Sequence, residues 1–289
     1  MKEEKKVISE ELLPGVTVHY NLDNILCEKN SEYQNILVAE IKGLGKALFL
    51  NKILQSVKLD ERVYHETLVH PPFFFHPNPQ KILILGGGEG ATLREVLKHP
   101  VTRVVMVDID KDVVEISKKF LPEWSDGAYK DPRVEVVIAD ALQYVSETNE
   151  KFDIIISDLT DPFTDPLSLH SFTKNFFNLC KNVLREDGII CVQSGAMDPY
   201  FYKNFITVEN NLKAVFKHVV PYARHIYSFF SMWGFHLASD TDYFSKLNFK
   251  KPESKLKFEF ISPESLILFI QKAKFYQKEV EKYGKSIIR

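Results

Sequence analysis

Long apolar runs are absent from this chain: none approaches the roughly 18 residues that a membrane-spanning helix needs. No signal-peptide pattern is present, and no membrane association is expected. Cysteine is scarce. The three residues present, Cys27, Cys180 and Cys191, are odd in number and far apart, which fits reduced, buried thiols of a cytoplasmic protein rather than a disulfide framework. No group of Cys or His has metal-ligand spacing, so no metal is expected. An excess of basic charge is also missing. With 37 Lys and Arg against 39 Asp and Glu, the chain lacks the electrostatic footprint of a nucleic-acid binder. Its lysine-rich C-terminal stretch (Lys272, Lys274, Lys278, Lys282) is interleaved with Glu279 and Glu281 and reads as a solvated helix. Nor is there a Gly-x-x-x-x-Gly-Lys-[Ser/Thr] loop, because Gly284-Lys285-Ser286 has no glycine at the required upstream position. A P-loop nucleotidase is disfavoured.

What the chain does contain is concentrated between Lys81 and Pro162. An apolar strand runs into glycines at Ile82-Leu83-Ile84-Leu85-Gly86-Gly87-Gly88-Glu89-Gly90-Ala91. Such a turn lets backbone approach a ligand closely, although a tight strand-to-helix turn can need glycines for conformational reasons alone. A second strand, Arg103 to Asp108, ends in an acid about 20 residues beyond the first glycine, where folds of this kind bind ribose hydroxyls. The pair implies a nucleoside site. Glu89, inside the glycine loop, would repel phosphates and attract an ammonium or sulfonium group; the alternative is that it caps the following helix. A doubly acidic strand end, Asp158-Leu159-Thr160-Asp161-Pro162, adds to this negative charge. A cationic substrate is expected.

The rest of the region alternates short apolar strands with amphipathic helices. A third strand is expected over Arg133 to Ala139, a fourth over Phe152 to Ser157, and a fifth over Gly188 to Gln193. Helices are expected over Thr173 to Leu184 and Asn204 to Phe216, with a late antiparallel hairpin from His218 to Arg224 and Trp233 to Ala238 at the sheet edge. The fold class is α/β, with a mostly parallel seven-stranded sheet. Gly86, Asp108, Asp140 and Asp158 all fall at C-terminal strand ends, where such sheets bind ligands. Before it, Gly15 to Tyr20, Asn35 to Ile41 and Lys46 to Leu50 read as strands of a small antiparallel β-domain that packs on its own core partner or on another subunit. The expected division is residues 1–62 and 63–289. Phe73-Phe74-Phe75 reads as core packing.

The motifs Ile84 to Pro100, Val107-Asp108-Ile109-Asp110, Ala139-Asp140-Ala141 and Asp158 to Pro162, together with Tyr33 to Leu37, Leu54-Gln55 and Tyr64-His65-Glu66, resemble the polyamine aminopropyltransferases, the spermidine synthase family. The likeness extends over almost the whole chain. It implies a methyltransferase-like Rossmann domain behind a small β-domain, in homodimers or homotetramers. It further implies transfer of the aminopropyl group of decarboxylated S-adenosylmethionine to an amine acceptor such as agmatine, spermidine or putrescine, releasing methylthioadenosine. By that resemblance the nucleoside is held by Gln34, Gln55, Gly86, Gly88, Asp108, Ile109, Asp140, Ala141 and Pro166, with Asp108 on the ribose and Asp140 on the adenine amino group. Glu89 and Asp158 face the aminopropyl ammonium. Asp158 is the general base, the Tyr64 hydroxyl orients the attacking amine, and Asp161 binds it. His65 stands where members contact substrate, yet a lone histidine is as often structural.

Two departures concern the acceptor. Members that use putrescine read Asp-Ser-Ser-Asp-Pro where this chain has Leu159 and Thr160, and Pro166 falls one residue later than usual. Ser228 stands where putrescine enzymes keep a pocket tyrosine, which implies a longer channel suited to agmatine or a triamine. An S-adenosylmethionine-dependent methyltransferase would share the fold, and is the alternative, but would have less need of Glu89, Asp158 and Asp161 together.

Overall fold

The computed structural model describes residues 6–161, 169–247, 249, 256 and 258–287. Pro166 and Pro162 lie outside the described residues. Five antiparallel strands, β1 (Lys6–Leu13), β2 (Val16–Asn30), β3 (Asn35–Ile41), β4 (Gly45–Leu50) and β5 (Ile53–Val57), form a meander in sequence order. Alternation puts Ile36 and Val38 on one face of β3 and Leu37, Ala39 and Ile41 on the other. The first face packs with Leu48 and Leu50 against Ala91, Val113, Ile116 and Trp124 of the larger domain. The second is covered within the sheet itself, where Tyr20, Phe49, Leu54 and Val57 meet Ile8, Val18, Leu22 and Ile25. β2 is much longer than the expected Gly15 to Tyr20. Register shifts between Leu22 and Asn24 and between Ile25 and Cys27 break its alternation, so its second half loses the period-2 signal while remaining paired.

Helix α1 (Glu61–Phe75) follows, and periodicity did not announce it. Almost every residue is buried, so no polar stripe marks its outer face. It also contains Pro71 and Pro72, which donate no hydrogen bond to Thr67 and Leu68 four residues earlier. The structure satisfies both carbonyls from outside the helix: Tyr222 Oη donates to Thr67 O at 3.0 Å and Cys191 Sγ to Leu68 O at 3.2 Å. Phe73, Phe74 and Phe75 are core residues, as expected.

The second sheet is built from β6 (Lys81–Gly86), β7 (Arg103–Asp108), β8 (Val134–Ile138), β9 (Phe152–Asp158), β10 (Leu184–Ala196), β11 (His218–Ile226) and β12 (Ser231–Ser239), in the order β11-β12-β10-β9-β6-β7-β8. Strands β8, β7, β6, β9 and β10 are parallel, and β12 and β11 add an antiparallel hairpin at one edge. Helices α2 (Ala91–Leu97), α3 (Lys111–Phe120), α4 (Pro122–Ser125), α5 (Ala141–Glu147), α6 (Lys174–Val183) and α7 (Tyr202–Lys213) connect them. β10 begins earlier than expected because Leu184 already pairs with Phe152 across a register shift. The last helix, α8 (Pro263–Ile287), is not solvated all round. Leu266, Ile270 and Ala273 are buried, and the helix packs on β11, so its charged residues mark only the outer face.

Candidate active site

The chain reverses direction across the sheet at β6, whose neighbours β7 and β9 leave a crevice at their C-terminal ends. Three glycines shape it. Gly86 has φ +81°, and a Cβ there would stand 2.3 Å from Asp158 O. At Gly88 it would stand 2.5 Å from Asp108 Oδ2, and Gly90, also left-handed, faces Ser125 and Tyr129. Gly88 N donates to Asp108 Oδ2 and Asp110 N to Asp108 Oδ1, each at 2.9 Å. Burial still pushes the Asp108 carboxyl up to about 6, because it outweighs those two donors and Asp110 and Asp158 add negative charge nearby.

The resulting cavity has a volume of about 270 Å³ and draws its walls from both domains. Gln34, Gln55, Gly86, Gly88, Glu89, Asp108, Ile109, Asp140, Ala141 and Asp158 line it, as do Tyr64, His65, Asp161 and Ser228. Among the described residues the structure therefore brings together every site residue named from the sequence; Pro166 falls outside them. Several have partners in addition. Gln34 Nε2 donates to Asp110 Oδ2 at 3.0 Å, which ties the β-domain to the end of β7. Asp140 caps α5 by accepting from Gln143 N at 2.9 Å. Ser228 N donates to the buried Asp60 carboxylate at 2.8 Å, anchoring the turn between β11 and β12.

Glu89 does not cap α2, which starts at Ala91 behind Gly90. Its carboxylate turns inward instead, accepting from Ser56 Oγ at 2.5 Å and from His65 Nε2 at 2.7 Å. The other imidazole nitrogen, Nδ1, lies 2.6 Å from Glu61 O and 3.1 Å from Glu61 Oε2. Both ring nitrogens face acceptors, which requires a proton on each. Burial opposes that charge, but the Glu89 and Glu61 carboxylates overcome it and hold the His65 pKa up at about 10. Arg94 completes the chain with a bidentate pair to Glu61 at 2.9 and 3.1 Å. His65 is a buried imidazolium, a state not legible in the sequence.

Asp158 sits at the centre. Its Oδ1 accepts from Tyr64 Oη at 2.9 Å and its Oδ2 from Thr92 Oγ1. Burial raises its pKa, the His65 cation and the two hydroxyl donors pull it back, and Glu89 adds to the rise. The Tyr64 phenol is held well above its ordinary pKa by burial and by the Asp158 charge, so it stays a donor. Beyond Asp158 the cavity runs between aromatic walls. Phe229 lies 5.8 Å from Tyr64 and 4.7 Å from Trp233, ring centre to ring centre. Trp233 is oriented by its indole N–H, which donates to Gln193 Oε1 at 3.2 Å.

Sequence reading missed Thr92 and Ser56, which donate to Asp158 and Glu89, and Gln193, Trp233, Asp198 and Glu10 to Leu13 at the end of β1, which line the cavity. Thr92 alone had a signal, its place in the first turn of the helix after the glycine loop. The others depend on contacts between distant segments. A second cluster, Glu66 and His70 of α1 with Glu95 of α2, is buried between these helices with geometry that could hold an ion. Lys98 already supplies a cation there, 2.5 Å from Glu95.

A family model for the spermine/spermidine synthase domain matches residues 61–251, and one for the spermidine synthase tetramerisation domain matches residues 6–58. The chain belongs to the spermine/spermidine synthase family. Polyamine aminopropyltransferase 1 of Hyperthermus butylicus is 44% identical over 242 residues, covering 82% of each chain. The polyamine aminopropyltransferase of Pyrobaculum calidifontis is 46% identical over 205 residues, 70% of this chain and 71% of that one. Among solved structures, a spermidine synthase in complex with the transition state analogue AdoDATO is similar with a TM-score of 0.89 and 30% identity, covering 96% of this chain and 97% of that one. Spermidine synthase from Thermotoga maritima gives 0.87 and 30%, with 96% of each covered. Family membership accounts for both sheets and their order. Among the described residues, no helix is long and apolar enough to cross a membrane.

Proposed function

We propose that this chain moves the aminopropyl group of decarboxylated S-adenosylmethionine to an amine of the polyamine class, leaving methylthioadenosine. One observation carries the reading: eight carboxylates line the cavity (Glu10, Glu11, Glu89, Asp108, Asp140, Asp158, Asp161, Asp198), and no Lys or Arg is among its described lining residues. A nucleotide phosphate or an amino-acid carboxylate would meet a preponderance of like charge there, since the one cation in the lining, the His65 imidazolium, is already paired with Glu89 and Glu61, whereas a sulfonium donor and a polycationic acceptor are matched. The relatives named as polyamine aminopropyltransferases, and the similar spermidine synthase that holds AdoDATO, support the same donor and acceptor class.

In this reading Asp108 takes the ribose hydroxyls and Asp140 the adenine amino group. Gln34, Gln55, Gly86, Gly88, Ile109, Ala141 and Pro166 complete the nucleoside site. Glu89 faces the aminopropyl ammonium; a carboxylate oxygen accepts more than one hydrogen bond, so the contacts to Ser56 and His65 leave room for it. Like-charge repulsion from Glu89 then discriminates against S-adenosylmethionine, which carries a carboxylate in that region.

The attacking nitrogen must lose its proton. At a lysine-like pKa near 10.4, that costs about 4.6 kcal/mol at pH 7. Asp158 takes the proton as general base, and its raised pKa makes it the better acceptor. The nitrogen lone pair forms the new N–C bond to the carbon attached to the sulfonium sulfur. The C–S pair returns to sulfur, giving a neutral thioether. Tyr64 orients the amine through the hydroxyl it shares with Asp158, and Asp161 binds it.

Incubating the protein with decarboxylated S-adenosylmethionine and, separately, putrescine, agmatine, spermidine and cadaverine tests this directly. Methylthioadenosine release with at least one amine is expected, and none with S-adenosylmethionine as donor. Reaction only with S-adenosylmethionine would make the protein a methyltransferase.

Two further results are expected. Ionised Asp108 accepts from ribose hydroxyls, and burial pushes its carboxyl pKa up to about 6. Below that value it is protonated and loses acceptor capacity. Methylthioadenosine affinity, followed by calorimetric titration, therefore falls as pH drops through about 6, and Asp108→Asn abolishes that dependence. An equal slope in the variant would place the titrating group elsewhere. Ser228, small and buried at the cavity wall, favours agmatine or a triamine over putrescine. Ser228→Tyr shifts the kcat/KM ratio toward putrescine; an unchanged acceptor profile would show that residue 228 does not set channel depth.

The match to a tetramerisation domain supports a homodimer or homotetramer in solution. We divide the chain at residues 62 and 63, just inside the first turn of α1, with the meander before it and the Rossmann-like domain after it.

A further inference from the structure

The wall formed by the end of β10 carries one carboxylate to which the sequence assigned no role. Ser157 pairs with Val192, so Asp158 stands level with Gln193. Two residues on, Gly195 passes close beneath Asp161, where a Cβ would lie 3.2 Å from Asp161 Oδ2. Asp198 lies three residues further out, in the segment leading into α7, and it too lines the cavity. Gln193 to Asp198 spans at most about 17 Å, the reach of five extended residues. Three acids thus follow one another outward from the reaction centre.

Oδ1 of Asp198 is occupied by the turn before α7, accepting from Tyr200 N at 3.2 Å and Phe201 N at 3.3 Å. Oδ2 faces the start of the neighbouring strand β12, where Ser231 Oγ donates to it at 3.2 Å. Ser231, Phe229 and Trp233 line the same cavity as Asp198, and the Phe229 and Trp233 rings lie side by side, a setting suited to a methylene chain that ends in a cation. A four-carbon diamine exhausts its charges at the first two acids. A third acid serves an acceptor whose cation lies beyond them.

We infer that Asp198 is the distal anchor of the acceptor channel, binding the far cationic group of a triamine or of a guanidinium-ended amine and setting selectivity against the short diamine. The inference rests on the aminopropyl-transfer reading above. Asp198→Asn is the suited variant, because Asn retains the acceptor oxygen that Tyr200 and Phe201 require while losing the charge. Steady-state kinetics with putrescine, agmatine and spermidine are compared between the native protein and the variant, alongside thermal unfolding and methylthioadenosine affinity.

The expected result is a fall of about tenfold in the kcat/KM ratio of spermidine, of agmatine or of both to putrescine, the scale of one charge-assisted hydrogen bond. The loss should lie in KM, and methylthioadenosine affinity should be retained. A fall confined to spermidine identifies a distal ammonium; one confined to agmatine identifies a guanidinium. An unchanged ratio, or an equal loss with all three amines, overturns the anchor while leaving aminopropyl transfer intact. Absence of transfer by the native protein to any amine overturns the reading beneath it and this proposal together.

Discussion

Replacing Asp158 with Asn is expected to lower turnover by a factor on the order of 10² or more, the usual contribution of a placed general base, while methylthioadenosine still binds. The two effects separate because the side chain and the main chain of this residue do different work. Asp158 O accepts from Gly87 N at 3.2 Å and closes the glycine turn, and the substitution leaves that contact in place. The carboxylate faces Tyr64 and Thr92, whose hydroxyls can rotate to meet an amide of the same shape. What Asn cannot do is accept the ammonium proton. The variant should also lose the acid limb of the rate profile, since burial raises the Asp158 pKa and the active form is the ionised one. Turnover equal to that of the native protein would remove Asp158 from the role of base. Loss of methylthioadenosine binding would show instead that its carboxylate holds the site together.

Gly86→Ala should damage stability and activity at once. Residue 86 has φ +81°, and a left-handed alanine costs roughly 1–2 kcal/mol. The new methyl would also meet Asp158 O at 2.3 Å and Asp158 C at 2.8 Å. These are backbone atoms, so relief requires β6 or the end of β9 to move. A total near 2 kcal/mol lowers the unfolding temperature by about 3 °C in a chain of this size. Displacing Asp158 by about 1 Å should lower turnover on the order of 10²-fold, because reaction depends on near-attack geometry. Circular dichroism melting and methylthioadenosine release measure the two effects. Native values for both would mean that the turn between β6 and α2 rearranges without cost.

Where expectation and structure part company, the reason is packing. The strands β6, β7 and β9 were legible because buried parallel strands read as continuous apolar runs and end at glycine or acid. Helix α1 was not, because a helix buried on nearly all sides shows no stripe and its two prolines argue against helix. Only a tyrosine and a cysteine from β10 and β11 make those prolines tolerable. The second half of β2 was hidden by its bulges. Glu89 was recognised as a charge in the loop, but the sequence left open whether it capped a helix. The answer came from Ser56 and His65, residues 33 and 24 positions away in the chain.

By itself the sequence determined the residue types and their local backbone: a glycine turn that admits a ligand, acids at the ends of strands, alternation that builds the small sheet. These follow from sterics and periodicity within a few residues. The tertiary structure alone decided the protonation of His65, the inward turn of Glu89, the pair of hydroxyls on Asp158 and the arrival of Asp198 at the same cavity. Those properties depend on burial and on charges brought together from distant segments, and an electrostatic environment exists only once the chain has closed around it.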